Sequence, residues 1–313
     1  MPQRAAISTQ HSAINTQRVQ LFSAPVSFFD SLRGLTWPTR RRALGALPGT
    51  HRSRLRGSAP ELSEYRLYRQ GDDPRQLDWK LLARSDRAYI RLAEDRSLLA
   101  TWFVVDASAS MAFPDDTKAK WKLAVDVTLG LASVALSAGD PVGLLIAHRA
   151  APPRLPARSR RGTLSEMAAT LGAIEPDGTV LLAPLLADAR PGVRIVVVSD
   201  FLGDEPAIRN SASALLAAHC DVHAVHVAAR EELDPPRQAV RAIDPEDASI
   251  VRPLDDTMWA RYSSNFAEWR RQVAAGWRHA GATWTMVTTG EDAAMAVRRV
   301  IGASSGSALV EAR

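Results

Sequence analysis

Three oxygen-bearing side chains, Asp106, Ser108 and Ser110, stand at alternate positions directly after a short apolar run. The run is Trp102 to Val105, within the stretch Thr101–Met111, TWFVVDASASM. Such a run is the pattern of a buried parallel strand. In open α/β sheets, ligands gather at the carboxyl ends of the strands. Small oxygen donors on one tight turn suit a hard divalent cation, Mg²⁺ foremost, with Mn²⁺ or Ca²⁺ as substitutes. Asp106 would supply one negative charge and the serines neutral hydroxyls. A cation held that way keeps excess positive charge and favours an incoming carboxylate. The competing reading is a serine-rich turn after a core strand, since D-x-S-x-S is short.

Two more polar groups fit the same chemistry. Thr179 follows the turn Pro176-Asp177-Gly178, ahead of a helical stretch, and Asp200 ends the apolar run Arg194–Ser199, RIVVVS. If the strands carrying Asp106 and Asp200 are neighbours in a parallel sheet, both acids reach one edge. Thr179 then enters from the intervening loop. Asp106, Ser108, Ser110, Thr179 and Asp200 would form one oxygen cage, suited to Mg²⁺, which keeps several waters.

The elements that must position them alternate. Strands are expected at Trp102–Val105, Val142–Ala147, Arg194–Ser199, Val222–Val227 and Trp284–Thr288. Helices are expected at Lys118–Ser137, Thr163–Ile174, Leu181–Ala189, Pro206–Ala218, Met258–His279 and Glu291–Ile301. Asp247–Leu254 reads as an edge excursion. The alternation implies an α/β fold with a mostly parallel sheet and helices on both faces.

The N-terminal third differs. Residues 1–100 carry 17 Lys and Arg against 9 Asp and Glu, a net of +8, within a chain of 313 residues whose net charge is +5. Residues 1–20 are polar and aperiodic, the composition of a disordered segment. Leu21–Leu35 mixes Phe28, Phe29 and Leu32 with Asp30 and Pro25, and reads as packed on the domain rather than lying on a membrane. Trp37–Arg42 and His51–Arg56 read as basic, solvated loops. Glu64–Arg84 crowds arginines and acids around Gly71-Asp72-Asp73-Pro74, which suggests a salt-bridged loop network, and Ala88–Leu92 follows as a strand. The division expected is residues 1–44 as an N-terminal segment, 45–100 as a small basic β-containing region, 101–302 as the main domain and 303–313 as a tail.

Cys220 is the single cysteine, so no intrachain disulfide forms and a reducing compartment is expected. No apolar run reaches the ~18–20 residues of a membrane helix, and no signal-peptide core follows the start. The expected location is the cytoplasm.

On these residues the chain resembles a known family. The order of Asp106, Ser108, Ser110, a later loop threonine and a strand-ending Asp200 is similar to the metal-ion-dependent adhesion site (MIDAS) of von Willebrand factor type A domains. More narrowly, the chain resembles a bacterial family catalogued as domain of unknown function fifty-eight. The resemblance rests on Arg69-Gln70-Gly71-Asp72-Asp73, Arg75, Asp78-Trp79-Lys80 and Ala83-Arg84, followed by Asp106-Ala107-Ser108-Ala109-Ser110-Met111. It covers about residues 45–300 and implies a von Willebrand A-like domain with a small β region. It also implies genomic pairing with MoxR-type AAA+ ATPases, hence a non-enzymatic adaptor for such an ATPase or its client. Members often carry two N-terminal membrane helices, and this chain has none.

Other chemistries are weaker. His219, Cys220, His223 and His226 suggest zinc, but His223 and His226 are oddly spaced and point to opposite faces of a strand. A haloacid-dehalogenase nucleophile needs a second acid where Ser108 stands. A metal-dependent hydrolase acting on phosphoesters or nucleic acid is the alternative, though no base is tied to the site. The sequence lacks G-x-x-x-x-G-K-S/T and G-x-G-x-x-G motifs.

Overall fold

The computed structural model describes residues 26–39, 48–52, 62–70, 72, 77–85, 87–93, 96–149, 153–187, 191–235, 241–243, 251–253 and 256–308. In chain order, α1 (Val26–Ser31) precedes β1 (Pro48–Arg52), β2 (Leu62–Leu67), α2 (Trp79–Ser85), β3 (Tyr89–Ala93) and β4 (Arg96–Ser97). The main domain then runs β5 (Thr101–Asp106), α3 (Ala119–Ser137), β6 (Val142–Ala147), β7 (Arg154–Arg158), α4 (Thr163–Gly172), α5 (Ala183–Ala187), β8 (Arg194–Ser199), α6 (Glu205–Ala217) and β9 (Asp221–Ala228). It closes with α7 (Arg230–Leu233), β10 (Arg241–Ile243), β11 (Val251–Pro253), α8 (Asp256–His279), β12 (Thr283–Thr288) and α9 (Ala293–Ala308).

Six strands form one sheet in the order β12-β9-β8-β5-β6-β7. All pairings are parallel except that of edge strand β7 with β6. The central strands are buried on both sides because Val, Ile and Leu occupy both of their faces. Leu155 and Ala157 of β7 are half-buried between exposed neighbours, and Pro156 is tolerated at an edge. That alternation was too short and proline-broken to read from sequence.

Alternation along β5 divides the core. Phe103 and Val105 point to one face, packed with α1, α3, α4 and α9. Val104 points to the other, with α5, α6 and α8. This is a Rossmann-like architecture, a mostly parallel sheet between two helical layers. The strand order runs outward in opposite directions from the adjacent β5 and β8, so their carboxyl ends define a switch point, where such sheets bind ligands.

The segment before the domain packs on it, as its apolar residues suggested. Phe28 and Leu32 are buried in the same cluster as α3 and α9. Gly130 of α3 makes this possible: a Cβ there would lie 2.6 Å from Val297 and 2.9 Å from Phe28.

Several expectations are corrected. Trp37 belongs to no solvated loop: it is 2% exposed, its ring 4.1 Å from the guanidinium carbon of Arg194. The Glu64–Arg84 stretch is not loop throughout, since it contains part of β2 and nearly all of α2, and its residues 71 and 73–76 lie outside the described residues. Two of its acids also serve backbone. Asp78 Oδ1 accepts the N–H groups of Lys80 and Leu81, both at 3.0 Å, and Asp72 Oδ2 accepts that of Arg69 at 2.7 Å. β11, in the supposed edge excursion, pairs with β10 outside the main sheet. The last helix continues past Ile301 to Ala308, into the supposed tail. Residues 1–20, 40–47 and 53–61, with their basic clusters, lie outside the described residues. Among the described residues, no helix is long and apolar enough to cross a membrane.

Candidate metal centre

β5 and β8 lie side by side and in register, Val105 opposite Val198. Each run ends in an acid, so Asp106 and Asp200 emerge at the same end of the sheet. Past β5 the chain turns through a 3-10 segment, Ala109–Ala112. Ala107 and Met111 are fully buried and anchor the turn from below, which leaves the alternate residues Ser108 and Ser110 for polar work.

These side chains form a connected line. Ser108 N–H donates to Asp106 Oδ1 at 2.9 Å, and Ser108 Oγ lies 3.1 Å from Ser110 Oγ. The Ser110 side chain helps to hold the Asp200 carboxyl below its ordinary value. Asp106, Ser108, Ser110 and Asp200 are each no more than 4% exposed. Ser199 Oγ donates to Asp106 Oδ2 at 2.6 Å and accepts Phe201 N–H at 2.9 Å.

Thr179 is placed differently. It is exposed, on a loop fastened to the same turn. Ala109 N–H donates to Gly178 O at 2.9 Å, and Asp177 N–H donates to Ala107 O at 3.0 Å. Gly178 takes a left-handed φ of 62°, which glycine adopts without steric cost. The structure therefore gathers four of the five cage candidates into one buried line, with Thr179 at its rim.

Three charged groups were not foreseen as one cluster. Lys120, in the first turn of α3, is 0% exposed. Its Nζ donates to Asp200 Oδ2 at 2.6 Å and to Glu232 Oε1 at 2.8 Å. Glu232 Oε2 accepts Ala229 N–H at 2.7 Å, just past β9. The signal for Lys120 was local: it occupies a stripe shared with the buried Ala124, Val127 and Leu131, where a lysine needs a buried partner. Glu232 carried no such signal.

Burial and the neighbouring charge of Asp200 push the Asp106 carboxyl up to about 6. Burial also acts on Asp200, but Lys120 outweighs it and holds Asp200 below its ordinary value. Lys120 stays above its own, because Asp200 and Glu232 outweigh its desolvation. Asp200 and Glu232 thus face one ammonium, while Asp106 is bonded by Ser108 and Ser199, neither of which carries charge. Among the described residues no group of three or more His, Cys, Asp or Glu is disposed to hold a metal. The donors here are two carboxylates and hydroxyls, all hard oxygen ligands. That donor set and its unshared negative charge fit Mg²⁺ rather than a soft transition metal.

The zinc candidates do not converge. His223 Nε2 is 3.3 Å from Asp221 Oδ2, with its ring against Trp37. His226 lies among Phe201, Trp269 and Trp284. Cys220 is free and buried.

The fold is an α/β domain around a mostly parallel six-stranded sheet. The chain belongs to the family described as Protein of unknown function DUF58, whose model matches residues 64–272. The uncharacterized proteins Mb1516 of Mycobacterium bovis and Rv1480 of Mycobacterium tuberculosis are each 30% identical over 272 residues, 84% of this chain and 85% of the relative. Among solved structures, conserved hypothetical protein BatB from Bacteroides thetaiotaomicron is similar with a TM-score of 0.44 and 19% identity, over 66% of this chain and 99% of its own.

Proposed function

We propose that this protein is a metal-dependent interaction module, with Mg²⁺ held by Asp106, Ser108, Ser110, Asp200 and, from the rim, Thr179. One observation carries the reading: a line of hard oxygen donors with unshared negative charge sits at the switch point of a parallel sheet. Bound there, Mg²⁺ would supply an electrophilic centre that accepts a carboxylate from a partner protein. The protein's own groups do the rest. Backbone N–H groups orient Asp106 and Asp200, and the Asp177–Gly178 contacts hold the Thr179 loop over the turn. The partner, following the family resemblance, is a MoxR-type AAA+ ATPase or its client, with this protein as adaptor.

A hydrolytic role finds less support. The lysine at the site is no free base, because two carboxylates hold it as an ammonium. Capture of the ATPase from a purified mixture tests the adaptor reading, with wild type and Asp106→Ala in Mg²⁺ and in EDTA. Capture is expected only with Mg²⁺ and Asp106 together. Equal capture by Asp106→Ala in EDTA would overturn the reading.

A further inference from the structure

Lys120 is a costly residue to place where it is. A fully buried ammonium loses its hydration, and only close carboxylates compensate. It has two, Asp200 at 2.6 Å and Glu232 at 2.8 Å. Both carboxylates are pinned on their other oxygen by backbone: Asp200 Oδ1 by Leu202 N–H at 3.1 Å, Glu232 Oε2 by Ala229 N–H at 2.7 Å. The ammonium therefore sits between two fixed anions, one of them a cage candidate. Neither anion can turn away without breaking a backbone hydrogen bond.

We infer that Lys120 sets the cation affinity of the site: it is an internal positive charge that neutralises Asp200 from behind, and Glu232 draws part of that charge away from Asp200. This inference rests on the metal reading of Asp106, Ser108, Ser110 and Asp200. Its consequence is a site whose carboxylates are half-compensated before any ion arrives. The empty cage does not collapse by charge repulsion, and an ion that enters is held by little more than the charge of Asp106. Such an ion needs an outside carboxylate to complete its shell, so Lys120 makes partner engagement and cation retention depend on each other.

The two residues predict opposite shifts. Lys120→Met removes the competing charge, so Mg²⁺ alone should bind about tenfold tighter. Glu232→Gln leaves the ammonium wholly to Asp200, so Mg²⁺ should bind about tenfold more weakly. Both figures stand well below the unscreened attraction between a unit charge and a divalent ion at such range. The double variant should return to within about threefold of wild type, if the two charges act through one site. A merely structural role predicts something else: either change loosens the network, and both weaken binding alike.

Isothermal titration of the full chain with MgCl₂ decides this, for wild type, Lys120→Met, Glu232→Gln, the double variant and Asp106→Ala. Thermal unfolding in EDTA identifies any variant that fails to fold. Should Lys120→Met not fold, Lys120→Gln takes its place, with the same tightening of about tenfold expected. Opposite shifts support the inference. Shifts of the same sign, or none, overturn it, while sensitivity of the wild-type titration to Asp106→Ala leaves the metal reading standing. A titration indifferent to Asp106→Ala, or absent from every variant, overturns both.

Discussion

The sheet buries charge at both of its ends, and the two ends use it differently. At the amino end Arg194 is fully enclosed. It reaches Asp221 at 3.3 Å and the carbonyl oxygens of Trp37 and Pro38 at 3.1 and 3.0 Å, with the Trp37 ring over its guanidinium. Burial works against the Asp221 carboxylate, but His223 and Arg194 outweigh it and hold it far below its ordinary range. That network is closed in charge, Arg194 against Asp221, though Arg194 Nη1 has no hydrogen-bond partner, and it ties the N-terminal segment to the sheet. At the carboxyl end, two carboxylates share one ammonium, a third, Asp106, stands beside them, and two serine hydroxyls bond each other. The closed cluster fastens chain to chain, and the open one keeps unspent charge beside the surface. Buried charge by itself is therefore no sign of a binding site; what distinguishes one is charge the fold has not matched.

The sharpest way to break this comparison is at the closed end. Arg194→Met leaves Asp221 without its guanidinium and should cost about 3–5 kcal/mol in urea unfolding. It should also expose residues 26–39 to proteolysis. A loss under about 1 kcal/mol would mean the end is not closed in the sense argued here.

The next effect belongs to the other end. Burial lowers His226 from 6.5 to about 4, with Lys120 and Arg270 adding to the shift and Asp200 opposing it. A folded-state value below the unfolded one gives stability that is complete above 6.5 and lost as pH falls through about 4. The loss should approach 3 kcal/mol. His226→Phe should flatten that acid limb in thermal melts between pH 7 and pH 4. Asp221 should leave this window untouched, because its carboxylate stays charged throughout it.

Gly130→Ala should cost about 1–3 kcal/mol through overpacking against Val297 and Phe28. Mg²⁺ binding should survive it, since Lys120 lies almost three turns away on α3. The smallest expected change is Asp106→Asn in EDTA. It removes a carboxylate that burial and Asp200 already disfavour, at the expense of one acceptor, so stability should stay within about 1 kcal/mol of wild type. The same variant should lose any Mg²⁺-induced rise in melting temperature. A large loss in EDTA would place Asp106 among the fastening groups instead.

The open end was the more legible of the two. The runs before Asp106 and Asp200 named β5 and β8, and the adjacency of those strands then placed both acids, because register follows from parallel pairing. Ser108 and Ser110 followed from the alternation of a tight turn. Lys120 and Glu232 were not read as site residues, because they meet across residues 112 apart and ion pairs of that span leave no periodic trace. Trp37 was misread for the same reason. Its neighbours Arg40, Arg41 and Arg42 set the local impression, while the residue that covers it, Arg194, lies 157 positions on. Edge strand β7 failed for a local reason, a five-residue stretch with proline inside it.

The meeting of β5 and β8 has one more consequence. The hydrogen bond from Ser199 to Asp106 joins residues 93 apart in the chain, and among the described strands the sheet's two wings pair along this seam. Contacts of such span form late, after the entropy of closing the loop has been met. A nascent or partly opened molecule has Asp106 and Asp200 on separate wings, hence no shared anionic turn. Whatever grips both acids selects chains whose halves have already joined, and then acts as a staple across the seam. Amide exchange along β5 and β8 should slow most when that grip is made.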